Sequence, residues 1–352
     1  MTEYLSRKIK VISFISIVMV VILHCYNLDK SIYENEKNIT WFIQTIISFG
    51  ITRIAVPVFF IISGYLFFLT FNGNSDFVLK MKKRFRTLVV PYLFWSFFGI
   101  FFYYTLQSIP QTQSFFTKKL IKDCTIYELF DLAFLNIIPY QFWFIRDLIV
   151  LTILSPVIYF LLKKLSFWLL LFIFPFWFLN QDSIFFSSES LLFFSFGVFL
   201  VLKHPEIIKV RMSKKITFVL IISWIAFLLL KIILQIYNFS EIWVQTCHKT
   251  SILFGIVAFW TLYDLLYKDN FRLSTINNHT TLFGFTFFIY AAHEPILTII
   301  KKSLFYILGK EQDTFILVYA LSPFLVIGIC LIIGTCLKNK LPRVFDFMTG
   351  NR

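Results

Sequence analysis

Ten long apolar runs, separated by short basic loops, leave this chain very few folds to choose from. They fall near residues 11–28, 48–70, 86–106, 142–162, 166–180, 186–202, 216–236, 250–267, 282–300 and 314–337. A helix needs about 20 apolar residues, with a range of about 17–25, to cross a bilayer. The expected fold is therefore all-α: a polytopic integral membrane protein of about ten transmembrane helices, forming a single transmembrane domain over residues 1–352. The fifth run is the weakest, because Pro175 interrupts it and only Lys163-Lys164-Leu165 separates it from the fourth. Arg7, Lys8 and Lys10 before the first run resemble the basic start of a signal peptide. No small-residue cleavage site follows, so the run reads as a retained helix. Charged residues make up 15% of the chain, against roughly 25% in a soluble domain.

Net charge is +14. In a soluble chain that excess would suggest nucleic acid. Here the basic residues sit in loops between apolar runs, so the positive-inside rule accounts for them and no nucleic-acid partner is expected. With the N-terminus inside, the inside segments hold 21 Lys and Arg and the outside loops hold 9. Both termini are accordingly expected in the cytoplasm. The longest loop, about 107–141, lies outside, and a short surface helix is expected through "TIYELFDLAFLNIIP". The five cysteines have no metal-binding spacing and read mostly as packed or lipid-facing residues. Cys124 and Cys247 fall in outside loops, where a bridge between them is conceivable.

This orientation gathers the ionisable residues of the spans toward the outer side. His24 closes the first run, roughly 20 Å above Val11 at ~1.5 Å per residue. Arg53, Arg146, Asp147, Glu189, Lys231, His293 and Glu294 fall at a similar depth. Ionisable groups inside a membrane normally face a bundle interior or a wet cavity and mark function. Singly, each has a plainer reading: interfacial histidines, snorkelling arginines, structural pairs, and an aromatic belt for residues such as Trp143. Their shared depth is the stronger signal. Pro295 should open its helix beside His293 and Glu294, as happens where a span lines a cavity.

At "RIAVPVFFIISGYLFF", Arg53 to Phe68, the sequence resembles the bacterial acyltransferase 3 family of polytopic enzymes that O-acylate surface glycans. The first span ending in His24, "RFRTLVVPYLFWSF", "QFWFIRDLIVLTILSPVIY" and "FFIYAAHEPIL" match in order, and "SLLFFSFGVFL" more weakly. The resemblance implies an acyl-CoA donor, usually acetyl-CoA, used from the cytoplasm. It also implies a glycan or lipid-linked sugar acceptor, residence in the bacterial cytoplasmic membrane, and a catalytic role for His24. The chain departs from the family in one respect. An Arg or Lys usually stands eleven positions before that histidine, where this chain has Ser13. Lys10 lies within ~40° of the same helix stripe, one turn deeper, and is the expected substitute on the acyl-CoA side.

Thioester acyl transfer needs a base, a positive group near the developing oxyanion, and a partner that orients the base. His24 is the expected base, Arg146 and Arg53 the cations, and Asp147 or Glu294 the orienting carboxylate. The catalytic candidates are then His24, Arg146, His293 and Glu294. The acyl-CoA candidates are Lys10 and Arg53, with Lys82, Lys83 and Arg84 of "KMKKRFR" for the phosphates. The same inner cluster also reads as topogenic charge. No metal is expected, and no Gly-x-Ser-x-Gly elbow surrounds Ser63, which favours direct transfer over an acyl-enzyme. The competing reading is a non-enzymatic glycan exporter, although transporter sites favour the midplane. The orientation makes a direct prediction. Cysteines placed at positions 34 and 115 should react with an impermeant maleimide on intact cells, and one at 205 should not; the opposite pattern would invert the topology.

Overall fold

A computed structural model describes residues 1–28, 37–71, 74–113, 116, 119–267 and 280–351. Positions 34 and 115, and the loop charges Lys30 and Arg272, lie outside the described residues. Among the described residues every regular element is helical. The long helices are α1 (Glu3–His24), α2 (Ile39–Ser48), α3 (Ala55–Phe68), α4 (Asn74–Arg84), α5 (Val90–Ser108), α6 (Ile126–Phe134), α7 (Trp143–Leu165) and α8 (Phe167–Phe178). They continue with α9 (Ser188–Lys203), α10 (Lys214–Ile236), α11 (Glu241–Leu266), α12 (Thr286–Leu308), α13 (Gln312–Lys340) and α14 (Pro342–Thr349).

Each of the ten apolar runs is helical. Six helical segments among the described residues are long and apolar enough to cross a membrane: Ile39–Phe68, Asp76–Ser108, Tyr140–Leu165, Lys214–Ile236, Glu241–Leu266 and Gln312–Lys340. At ~1.5 Å per residue, α8 is only roughly 18 Å long, short of the ~30 Å hydrocarbon core. Pro175 is accommodated inside α8 without ending it. Large apolar side chains such as Phe101, Phe172, Ile222, Phe324 and Ile332 are exposed on the outer faces of their helices. A soluble protein would not leave so much apolar surface to water; it suits lipid.

Several boundaries differ from the sequence reading, each for a local reason. The second span begins at Ile39, nine residues early, because Asn38 caps α2 by accepting from the Trp41 amide at 2.9 Å. A bend at Gly50 and a 3-10 turn over Ile51–Ile54 then lead into α3. Between α4 and α5, a π-type turn over Phe85–Val89 absorbs the hydrogen bond that Pro91 cannot donate. The eighth span begins at Glu241, so Cys247 and Lys249 are buried helix residues, not loop residues. All five cysteines are free, and no Cys124–Cys247 bridge forms.

The helix expected in the outer loop exists as α6, started by a Thr125–Glu128 capping box. Lys119, with Thr125, holds the Glu128 carboxyl down at about 2. It does not lie free on the surface, however. Its last carbonyls are tied to α5: Ala133 accepts from Ser96 Oγ at 2.6 Å and Phe134 from Tyr92 Oη at 2.9 Å. Pro139 then packs on Gly99, where any Cβ would press on the proline ring at 2.7 Å. This docking carries residues 136–143 inward.

α1 lies at the centre, in contact with α2, α3, α11, α12 and α13. At its outer exit Asn27, Gln44 of α2 and the Phe315 carbonyl of α13 form a closed polar knot. α3 and α9 pack with their backbones in direct contact. A Cβ at Gly64 would strike the Phe194 carbonyl, and one at Gly197 would strike the Ile61 carbonyl. Reciprocal glycines of this kind let two backbones touch, which is how membrane helices gain packing energy without water. Gly197→Ala should therefore cost about 1–3 kcal/mol, while Gly328→Ala, which meets nothing within 4 Å, should be silent. Thermal unfolding of the two purified variants distinguishes them.

Candidate active site

Two histidines from opposite ends of the sequence meet at the heart of the bundle. His24 is the last residue of α1, and His293 lies fully buried in the first half of α12. The helix runs on to Leu308, so His293 sits deeper in it than a span ending near 300 would suggest. The sequence favoured a break at this point, and the backbone supplies one. Glu294, just before Pro295, leaves helical geometry at φ −104°, ψ 132°. The kink turns His293 toward α1 and Glu294 toward the docked loop.

The hydrogen bonds assign the imidazole tautomers. His293 Nδ1 lies 2.7 Å from the Tyr290 carbonyl, which can only accept, so that nitrogen carries the proton. In the neutral ring Nε2 is then an acceptor. His24 Nδ1, 2.9 Å away, must donate to it. His24 Nε2 is left with its lone pair. The rings lie nearly parallel, 5.2 Å between centroids, and Tyr140 meets His24 edge-on at 5.0 Å.

Glu294 is buried and accepts from Tyr140 Oη at 3.2 Å and Thr298 Oγ1 at 2.8 Å. It thus orders the wall beside His24 instead of bonding an imidazole. Asp147 is spoken for as well: its carboxylate takes Arg146 at 3.2 Å and the Ser187 amide and hydroxyl at 2.8 and 3.0 Å. Arg146 also donates to the Leu135 carbonyl at 3.1 Å, which pins the end of the outer loop. Gln141 Nε2 donates to the Ala291 carbonyl at 3.2 Å and Tyr290 Oη donates to the Gln141 carbonyl at 2.6 Å, tying the loop to α12. Lys301 donates to the His24 carbonyl at 3.0 Å, a cation at the C-terminal end of α1 where the helix dipole favours it.

A cavity of about 1400 Å³ opens alongside. Tyr140, Trp143, Arg146, Asn136, Thr298 and Lys302 are among its lining residues. Trp143, which reads as a belt aromatic in the sequence, is thus part of a wall with room for a sugar. Among the described residues, no three His, Cys, Asp or Glu gather as a metal site would.

Of the acyl-CoA candidates, Lys10, Lys82, Lys83 and Arg84 are not brought to this point. Lys10 is exposed on α1. The buried cation of that segment is Lys8, 2% exposed, with Nζ 2.7 and 2.8 Å from the two oxygens of Asp264 and 4.3 Å from the Trp260 ring. Tyr4 donates to the same carboxylate. Lys8 stands about 160° around the helix from His24 at ~100° per residue, so stripe geometry could not select it. Lys82 and Lys83 are exposed on α4, and Arg84 stacks over Phe67. They lie beyond the far end of α5 from the cavity, roughly 35 Å along the helix from Gln107 at ~1.5 Å per residue. Arg53 remains near His24, close enough to act on it electrostatically. Tyr140, Thr298 and Lys301 were not singled out from sequence, because an exposed-looking loop and an outer helix end hide their inward turn.

Comparison with known proteins fits this geometry. The family described as "Acyltransferase domain" matches residues 8–335. The succinoglycan biosynthesis protein ExoH of Rhizobium meliloti (strain 1021) is 23% identical over 361 residues, covering 100% of this chain and 94% of that protein. No solved structure matches.

The Lys8–Asp264 pair carries a prediction. Lys8→Met strands a buried carboxylate and should cost about 3–5 kcal/mol. Lys10→Met should stay within about 0.5 kcal/mol. Chemical or thermal unfolding of both variants measures the difference.

Proposed function

The chain belongs to the acyltransferase 3 family, and from that premise we propose that it is an O-acyltransferase of the bacterial cytoplasmic membrane. It moves an acyl group, acetyl in the simplest case, from acyl-CoA to a hydroxyl of a cell-surface or lipid-linked glycan. The observation that carries this reading is the two-histidine pair, whose hydrogen bonds leave His24 Nε2 able to accept a proton. The adjoining cavity, with aromatic and amide groups on its walls, supports a sugar acceptor. The relative in succinoglycan biosynthesis supports a glycan.

In this reading the acceptor hydroxyl attacks the thioester carbonyl and gives its proton to His24 Nε2. The new O–C bond forms, the C–S bond breaks, and the proton passes to the departing thiolate. Imidazole suits both transfers, because its unperturbed pKa near 6.5 lies close to cellular pH. His293 acts as the positioning partner of the base. Arg53 and Lys301 supply positive charge near the reacting carbonyl. The CoA phosphates remain toward the inner face, where Lys82, Lys83 and Arg84 stand, and the arm bearing the thioester reaches inward toward His24.

His24→Ala should lower transfer from acetyl-CoA by about 10²–10⁴-fold without loss of folded protein. The measurement is CoA release by purified protein with a glycan acceptor, alongside mass analysis of the surface glycan from cells carrying each variant. Near-full activity in His24→Ala at normal expression would make this histidine structural. His293→Phe should lower kcat and leave KM for the donor nearly unchanged, since it frees the His24 tautomer without touching substrate.

A further inference from the structure

A second group of basic side chains stands apart from the outer cavity, none of them among its lining residues. Lys231 of α10 and Lys249 of α11 are each 6% exposed. His248 adjoins Lys249 on α11, and Arg53 stands on the 3-10 turn before α3. Lys231, Lys249 and Arg53 all lie within electrostatic reach of His248, and Arg53 within reach of Lys231 and of His24. α11 packs against α10 and against the turn that bears Arg53, so four basic residues from three helical segments gather around His248, and Arg53 links them to His24.

Among the described residues, none of Arg53, Lys231 and Lys249 makes an ion pair. Lys231 donates to the Phe49 carbonyl at 2.6 Å, at the C-terminal end of α2, so that helix dipole offsets part of one charge. Lys249 rests 4.5 Å over the Trp177 ring. Glu189 and Asp182 act on Lys249 from beyond ion-pair distance, one oxygen of Glu189 accepting from Trp177 Nε1 and one of Asp182 from Ser188. His248 Nδ1 is buried, and among the described residues it has no hydrogen-bond partner. Buried charges are ordinarily paired, and an unpaired one costs several kcal/mol. Buried polar groups are ordinarily bonded. Among the described residues this cluster has no directly paired counter-anion, and the nearby histidine pair gives a bound anion a reason to be a substrate group.

We propose that Arg53, Lys231, His248 and Lys249 bind one oxyanion, a carboxylate or a phosphate, borne by a substrate whose reacting end lies at His24. A carboxylate would come from an acidic sugar or an acidic acyl chain, and a phosphate from a phosphate-bearing acceptor. Only the identity of the carrier rests on the acyl-transfer reading; the anion site stands on its own geometry.

The test needs no turnover. Melting temperature of the purified full-length protein is followed against inorganic phosphate and against acetate, with chloride at equal ionic strength as control. At least one anion should stabilise the protein saturably, because a ligand of the folded state raises its stability with concentration. The anion that does so identifies the source. Lys231→Met, close in shape but uncharged, and Arg53→Gln should each weaken that anion at least about tenfold, as expected on losing a charged hydrogen bond. No stabilisation by either anion beyond chloride, or equal affinities in wild type and both variants, overturns the proposal. Should Lys231→Met not fold, Arg53→Gln decides alone, since Arg53 is only half-buried. In wild type, no anion response alongside intact acyl transfer refutes this site only, and an anion response without acyl transfer refutes only the enzymatic reading.

Discussion

A donor or acceptor buried at membrane depth has no water to fall back on, so it must find a partner in the protein or leave a measurable penalty. The geometry around His24 follows from that requirement. Its Nδ1 proton needs an acceptor, which His293 provides, and the His293 proton needs the Tyr290 carbonyl in turn. Bringing His293 to that place requires the break at Glu294. The break exposes a carboxylate that Tyr140 and Thr298 satisfy, and Tyr140 reaches it because α6 is bound along α5. Loop, kink and histidine pair form one connected set of obligations.

The same requirement fixes α1 at both ends. Lys8 and Tyr4 meet Asp264 at the inner end, and Lys301 and the Asn27–Gln44 knot hold the outer end. Replacing the inner pair with apolar residues of similar shape would be tolerated better than removing one partner. The interlocked glycines of α3 and α9 add a second rigid unit beside it.

The sequence displayed the helices well because each is an apolar run of spanning length, and it displayed His24, Arg53, His293 and Glu294 because charge inside such a run is conspicuous. Pro295 announced its own break. What it concealed were polar residues that look like loop or flank. "QTCHKT" reads as a solvated turn, yet α11 begins before it and buries Lys249. Lys8 reads as a flanking charge and Lys10 as the cation for acyl-CoA, and only the position of Asp264 on a helix remote in sequence shows that Lys8 is the buried one. Tyr140 belongs to a loop whose inward course is decided by Ser96, Tyr92 and Gly99, small or polar residues with no individual signature.

The hydrogen-bonded chain from His24 ends on a peptide carbonyl. A peptide carbonyl accepts a hydrogen bond but is far too weak a base to carry a proton away. Under the proposed chemistry, a proton captured by His24 can be shared across two rings and then goes no further. It has no exit through the protein to bulk water along that route. The thiolate created in the same turnover can discharge the imidazolium from the open Nε2 side, so capture and return of the proton form a cycle that needs no proton relay through the protein.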